Sequence, residues 1–280
     1  MHRVLTHKDV LELLPDRREE AHKGNFGRIL LLCGCKGYTG APALAAMGAL
    51  RSGAGLVYLA VPRSIYQIEA AKLNEPIVIP LPQMNGKLSV LAHGKIKNML
   101  EGKSAVLIGP GLGQSAGTLN AVKTVLKYSK CPVILDAVGI NVLQKHKDIL
   151  RERTSPTIMT PHPGEFARIA GECDDRRTAA MNAARELNSI VVLKGHETLV
   201  TDGSVCYKNP TGNPGMAVGG SGDVLSGIIT SLIGQGMPPL EAAACSVWLH
   251  GAAGDICANE MGQYGMLPTD MLKVLPRLMK

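Results

Sequence analysis

Five short runs in this chain are apolar at nearly every position: residues 28–33 (RILLLC), 56–61 (LVYLAV), 105–108 (AVLI), 132–135 (PVIL) and 190–193 (IVVL). A strand that is apolar on successive residues points side chains to both faces of its sheet, so both faces must be covered. Helix-forming stretches separate the runs. The pattern predicts an α/β fold, a mostly parallel central sheet with helices on both faces. Its 280 residues contain no Pro/Ser-rich linker and no internal repeat, so one domain over residues 1–280 is the simplest reading.

Further elements follow from local signals. Thr6 caps a first short helix that stops at Pro15, and an alanine-rich helix runs from about Ala41 to Arg51. Residues 77–81 form a proline-flanked, ambiguous segment. Residues 157–160 lead into a helix around residues 165–169, and residues 198–207 form a hairpin turning at Asp202-Gly203. The last helix follows Thr269 and ends or kinks at Pro276.

Composition narrows the function classes. Residues are 45% hydrophobic but only 3% aromatic, so the core is aliphatic. The net charge of +7 favours anionic partners. No Lys/Arg block with interleaved aromatics occurs, which points to small anionic substrates and away from nucleic acid. The seven cysteines have no paired metal-ligand spacing; Cys33 and Cys35 are the one close pair, and free thiols in a reducing compartment are expected. The start MHRVLTHKDV carries no signal-like apolar stretch and no run is long enough to span a membrane, giving the expectation of a soluble cytoplasmic protein without membrane contact.

In parallel sheets, ligands sit beyond the carboxyl ends of the strands. Here those ends carry Gly, Asp, His and Lys. The most informative segment is residues 213–233, NPGMAVGGSGDVLSGIITSLI. Val224, Ile228 and Leu232 recur every four residues, as do Leu225, Ile229 and Ile233, which makes an apolar helix face beginning near Gly222-Asp223. Gly219, Gly220, Ser221 and Gly222 then offer backbone N–H groups at a helix N-terminus, a phosphate cradle with Asp223 beside it as a base. The competing reading is a flexible loop with Asp223 as a first-turn acid. No P-loop lysine motif and no G-x-G-x-x-G occur, so neither a P-loop nor a plain dinucleotide fold is indicated.

Other strand ends carry weaker signals. Residues 37–41 (GYTGA) are either a ligand-contacting turn or a structural turn capped by Thr39, and residues 109–113 (GPGLG) either admit a ligand to the backbone or simply turn. Asp136 either orients a magnesium shell or substrate hydroxyl, or caps a helix. Glu165 acts through metal-bound water or only favours its helix N-terminus. Lys194 offers phosphate a point charge or is a solvated strand end. The small residues at 251–255 (GAAGD) read as a close-packing surface, not a second catalytic GD motif.

At residues 212–227, GNPGMAVGGSGDVLSG, the sequence resembles the ribokinase-like enzymes, and in detail the ADP-dependent NAD(P)HX dehydratases. The likeness extends through the block at 24–57 and through IGPGLG, PVILDAVGIN, TPHPGEF and VVLKGHETLV, in one order. The resemblance implies a ribokinase-like fold and repair of hydrated nicotinamide nucleotides: ADP phosphorylates the ring hydroxyl of (6S)-NADHX or NADPHX, and phosphate then leaves. It implies Asp223, with Gly220, Ser221 and Gly222, as the catalytic group. Ala41 (through its amide), Gly111, Gly113 and His162 would meet substrate with Asp223. Lys194, Gly195, His196, Glu197 and Thr198, together with Gly222, would bind nucleotide. Magnesium is the implied cofactor, its protein ligands unassigned. A homotetramer and a separate NAD(P)HX epimerase as functional partner are also implied. The alternatives are a kinase of the same fold acting on a hydroxymethyl-pyrimidine or thiazole alcohol, and a non-catalytic nucleotide-binding regulator, which the presence of Asp223 disfavours.

Overall fold

The structure is a computed structural model and describes residues 2–171 and 174–280. Its strands are β1 (Arg28–Leu32), β2 (Leu56–Pro62), β3 (Ile77–Leu81), β4 (Gln83–Met84), β5 (Lys87–Leu88), β6 (Ala105–Ile108), β7 (Val133–Leu135), β8 (Thr157–Met159), β9 (Ile190–Leu193), β10 (Leu199–Thr201) and β11 (Cys206–Lys208). Nine of them form one sheet in the order β11-β10-β9-β8-β7-β6-β1-β2-β3, and β4 pairs with β5 in a small hairpin. Neighbours from β3 to β9 run parallel; β10 is antiparallel to both β9 and β11. The ambiguous segment at 77–81 is the edge strand β3, where Pro80 costs no central ladder bond.

The apolar runs are explained by the two layers they serve. From β1, Ile29, Leu31 and Cys33 enter one core, and Leu30 and Leu32 enter the other. The first core lies against α2 (Gly40–Arg51), α10 (Ser221–Gly234) and α11 (Pro239–Met261). The second lies against α4 (His93–Met99), α5 (Ala116–Tyr128), α8 (Pro163–Ala170) and α9 (Arg176–Glu186). The remaining helices are α1 (His7–Leu13), α3 (Tyr66–Lys72), α6 (Val138–Asn141), α7 (Asp148–Arg151) and α12 (Pro268–Val274). Each large aliphatic side chain removed from water in these layers contributes about 1.5–3 kcal/mol.

Helices α2 and α10 lie unusually close, and glycine permits it. A Cβ on Gly227 would fall 2.2 Å from the Ala45 carbonyl oxygen, and one on Gly48 would fall 2.6 Å from that of Val224. The contact sets the amino ends of both helices side by side at the carboxyl edge of the sheet. Thr39 stands at the N-cap of α2, but its side chain makes no capping bond, which counts against the alternative of a structural turn capped by Thr39; the helix begins at Gly40. Thr6 does cap α1, in a capping box with Asp9. Pro276 lies in a 3-10 turn directly after α12. The six described cysteines are free, and Cys173 lies outside the described residues. Among the described residues no helix is long and apolar enough to cross a membrane.

Candidate active site

Helix α10 begins one residue earlier than the sequence pattern placed it, at Ser221, with Gly220 as N-cap at φ +99. That left-handed backbone conformation suits glycine. The cradle is also smaller than four converging donors, because the Ser221 N–H already donates to the Val218 carbonyl at 3.3 Å. The Gly222 and Asp223 amides, in the first turn, have no acceptor within the helix and face the end where the dipole favours anions.

Asp223 is partly buried near a second carboxyl, Asp136, at the end of β7. Burial, and next the Asp136 charge, push the Asp223 carboxyl up to about 7, against the pull of Lys194. An ordinary aspartate pKa of ~3.9 therefore does not describe this residue. Lys194 is engaged elsewhere: its Nζ lies 3.1 Å from Asp136 Oδ1. Asp136, 2% exposed, also accepts from Thr160 Oγ1 at 2.7 Å. Burial alone depresses the Lys194 ammonium, but Asp136, Glu165 and Asp223 outweigh it and the net shift is upward. The Asp136 side chain is thus neither a helix cap nor a free carboxylate; it is the partner of Lys194.

Two local features hold Asp136 in place. Gly109 (φ +133) lets the backbone approach so closely that a Cβ there would sit 1.8 Å from the Asp136 carbonyl oxygen. Ala137 adopts φ +48, ψ −119 in the turn closed by Gly139 N–H donating to that carbonyl at 2.9 Å. This is a II′-type turn with a non-glycine residue at its strained position, a conformation costing about 1–3 kcal/mol.

A cavity of about 850 Å³ opens beside the start of α10. Its walls include Lys194, Gly195, His196, Glu197 and Thr198 on one side and Ser221 and Gly222 on another. The 194–198 turn is fastened from outside: Arg176 donates to the His196 carbonyl at 2.9 Å, Thr198 Oγ1 donates to that of Gly195 at 3.0 Å, and Glu197 pairs with Lys208 at 2.7 Å.

The residues expected at substrate divide. Ala41, Gly111 and Gly113 lie outside the cavity, at the strand ends on the α2 side. Gly111 sits directly against Ala41, a Cβ there falling 2.8 Å from the Ala41 Cβ, and Gly113 sits against Cys35 and Lys87. Gly220 packs on Leu44 of α2, so the amino end of α10 separates the Ala41–Gly111 surface from the cavity. Asp223 also reaches toward the end of β1: after burial itself, its charge is the largest influence raising the Cys33 thiol. His162, by contrast, is on the cavity wall with Pro163. It is the N-cap of α8, its Nδ1 accepting from the Gly164 amide at 3.1 Å and the Glu165 amide at 3.4 Å, while Glu165 Oε2 accepts from the His162 N–H at 3.0 Å. With Nδ1 accepting, the ring proton resides on Nε2.

Two contributors were not legible as such. His250, buried in α11, places Nε2 3.3 Å from Ser221 Oγ; burial pushes its pKa down to about 4, so it is neutral near pH 7. Asp255 accepts from the Gly212 amide and from Asn213 Nδ2, both at 2.9 Å, and ties the 209–216 loop of the cavity to α11. The small residues at 251–254 do serve close packing, but against that loop: Gly251 meets Thr211 and Gly254 meets Met216.

The chain is 43% identical over 99% of its length to the bifunctional NAD(P)H-hydrate repair enzyme Nnr of Moorella thermoacetica, covering 54% of that protein. It spans about half the length of the bifunctional relatives it matches. It is 35% identical over 98% of its length to the ADP-dependent (S)-NAD(P)H-hydrate dehydratase of Bacillus subtilis, covering 97% of that protein. A crystal structure of the ADP/ATP-dependent NAD(P)H-hydrate dehydratase of Bacillus subtilis, co-crystallised with ATP/Mg2+, superposes with a TM-score of 0.82 at 34% identity over 98% of this chain and 96% of that one. A ribokinase-like superfamily protein of Enterococcus faecalis superposes with a TM-score of 0.88 at 29% identity, covering 99% and 95% of the two chains. The sheet and its helical layers are therefore ribokinase-like. A hydroxyethylthiazole kinase of Pyrococcus horikoshii, at 18% identity and a TM-score of 0.64, shares the fold alone. Because the characteristic pattern of the NAD(P)H-hydrate dehydratases matches residues 29–277, the chain belongs to that family.

Proposed function

We propose that this protein is an ADP-dependent dehydratase that restores NADH and NADPH from their hydrated forms, NADHX and NADPHX, and that residues 1–280 act as one catalytic domain. The observation that carries the reading is Asp223: a carboxyl poised near neutrality at a helix N-terminus, between a turn suited to nucleotide and the half-buried surface of Ala41, Gly111 and Gly113.

Phosphorylation turns hydroxide, a poor leaving group, into phosphate, a good one. The hydroxyl oxygen on the hydrated ring attacks the β-phosphorus of ADP, the bond to AMP breaks, and Asp223 accepts the hydroxyl proton. The ring C–O bond then breaks, phosphate departs, a ring proton is lost and the double bond returns. A base titrating near 7 is matched to proton transfer at neutral pH. In this reading the Gly222 amide and its neighbours meet the transferring phosphoryl, with Gly220 and Ser221 shaping the turn, and preorganised donors there stabilise developing charge. Lys194, Gly195, His196, Glu197 and Thr198 hold the nucleotide, with His162 on the same wall. Ala41, Gly111 and Gly113 receive the hydrated ring.

Magnesium fits as a phosphate-borne ion. Among the described residues no group of three or more His, Cys, Asp and Glu side chains forms a cation site. Mg2+ commonly keeps its waters and is held by one or two carboxylates plus phosphate oxygens. Asp136 and Glu165, both buried and both acting on Lys194, would hold its hydration shell, and the ion would neutralise phosphate charge. A homotetramer in the cytoplasm and a separate epimerase partner complete the proposal; that the longer relatives are named bifunctional repair enzymes fits a second repair activity working alongside this one.

The test is incubation with hydrated NADH plus ADP or ATP, following the return of reduced-nicotinamide absorbance. Recovery with ADP exceeding that with ATP is expected. Equal or faster recovery with ATP overturns the ADP assignment, and no recovery with either overturns the dehydratase reading.

A further inference from the structure

The hydrated nicotinamide ring is one end of a dinucleotide, and the rest of that molecule needs a path across the chain. In the proposed function the ring lies at Ala41, Gly111 and Gly113. The amino end of α10 bounds one side, where Gly220 packs on Leu44, and the cavity beyond it holds ADP. The contacts continue the other way, from Gly111 to Gly113 and on to residues 35–38 and the β4–β5 hairpin.

That direction is basic. A Cβ on Gly113 would lie 3.0 Å from Cε of Lys87, so the Lys87 stem passes directly over the glycine. Lys36 stands on the same rim. The hairpin turns at Asn85-Gly86, both at positive φ, the sequence and geometry that a tight two-residue turn favours. The turn docks on Lys36, whose N–H donates to the Gly86 carbonyl at 2.9 Å. Backbone contacts therefore fix where Lys87 and Lys36 start. Tyr38, 63% exposed, borders Gly111, where a Cβ would fall 3.3 Å from the Tyr38 Cβ.

The two ammonium groups are unanswered. Neither Lys36 nor Lys87 pairs with a carboxylate among the described residues. Lys87 Nζ donates to the Gln114 carbonyl at 3.1 Å, and an ammonium has further donors to offer. Lys72 is the contrast: it donates to the Thr39 carbonyl at 2.9 Å and faces the buried Glu69 carboxylate at 3.7 Å. Two uncompensated cations and an uncovered aromatic ring thus lie beside the proposed position of the hydrated ring.

We propose that Lys36 and Lys87 form the subsite for the pyrophosphate of the dinucleotide substrate. The inference rests on the dehydratase reading, which puts the ring at Gly111 and Gly113. Lysines serve phosphate oxygens as mobile point charges, and a pyrophosphate offers each of them a charged partner.

Lys36→Gln and Lys87→Gln test this, because each removes charge and keeps a donor, so the contact of residue 87 with the Gln114 carbonyl can persist. With ADP saturating, each should raise the KM for hydrated NADH about tenfold, the loss of one charge-assisted contact, with kcat little changed. Arginine at either position should restore the native KM. The native KM should climb with ionic strength, and the climb should flatten when both lysines are Gln. A second arm needs no turnover: NADH is titrated calorimetrically into the full chain saturated with AMP, which occupies the nucleotide cavity. Saturable binding is expected, weakened about tenfold in each Gln variant. Turnover with the native KM in both Gln variants overturns the inference. So does NADH binding that is absent, or indifferent to both substitutions. If hydrated NADH is not dehydrated while NADH binding still responds to the two lysines, the dehydratase reading falls and the pyrophosphate subsite stands.

Discussion

Lys194 Nζ lies 3.1 Å from Asp136 Oδ1, so the cation at the centre of the site is committed to one carboxylate while Asp223 is left with the weaker share of its attraction. Burial, and next the Asp136 charge, raise the Asp223 carboxyl to about 7, and Lys194 offsets only part of that rise. In the proposed reading the Asp136–Lys194 pair positions a cation for nucleotide phosphate, and it adds to the larger effect of burial on the proton affinity of the proposed base.

Replacing Asp223 with Asn should lower turnover by ~10²–10⁴, because Asn cannot accept the proton. Nucleotide affinity should change far less, since the backbone amides remain. Turnover and calorimetric affinity measured together check this; near-normal turnover would refute the base role.

The rate should depend on pH through the same group. Only ionised Asp223 accepts a proton, so kcat/KM should rise with pH through about 7 and level off above it. A profile already flat from pH 5 would show that Asp223 does not limit the reaction.

Stability follows the opposite direction. Between the ordinary carboxylate range and about pH 7 the folded chain keeps a proton that the unfolded chain has released. Stability contributed by this group is complete below that window and falls as pH rises, by up to about 1.4 kcal/mol per pH unit. Asp223→Asn should thus gain melting temperature over the native chain at pH 8 and not at pH 4. Thermal melts at the two pH values check the sign.

Asp136→Asn removes the repulsion that raises Asp223 and releases Lys194. The acid limb of the pH–rate profile should move below 7. Folding should weaken by about 3 kcal/mol, the lower range for breaking a buried pair, because the Lys194 side chain is 21% exposed. Lys194→Ala should lower AMP or ADP affinity by ~1.5–3 kcal/mol, and unchanged calorimetry would return Lys194 to a purely structural role.

Gly227→Ala tests the helix contact. Its Cβ would lie 2.2 Å from the Ala45 carbonyl oxygen, so α2 must shift against α10. Overpacking of this kind costs about 1–3 kcal/mol. Turnover should fall more than nucleotide affinity, because the cavity lies on the other side of α10 from Ala41. Melting temperature and the two activities measured in parallel decide it.

Much of this molecule was readable from local pattern. RILLLC and IVVL declare strands covered on both faces, and the four-residue recurrence from Val224 to Leu232 declares α10, because side-chain direction repeats with a fixed period along strand or helix. Glycines and Asp223 at one helix start mark the site for the same local reason. What the sequence could not determine was partnership and environment. Asp136 and Lys194 meet across 58 residues only because β7 and β9 flank β8 in the sheet. His250 reaches Ser221 and Asp255 ties the 209–216 loop, each through packing between distant segments. The rise of Asp223 to about 7 has the same origin: a proton's affinity depends on the water and charge around the group, and those are fixed when the layers close over it, not by the order of residues along the chain.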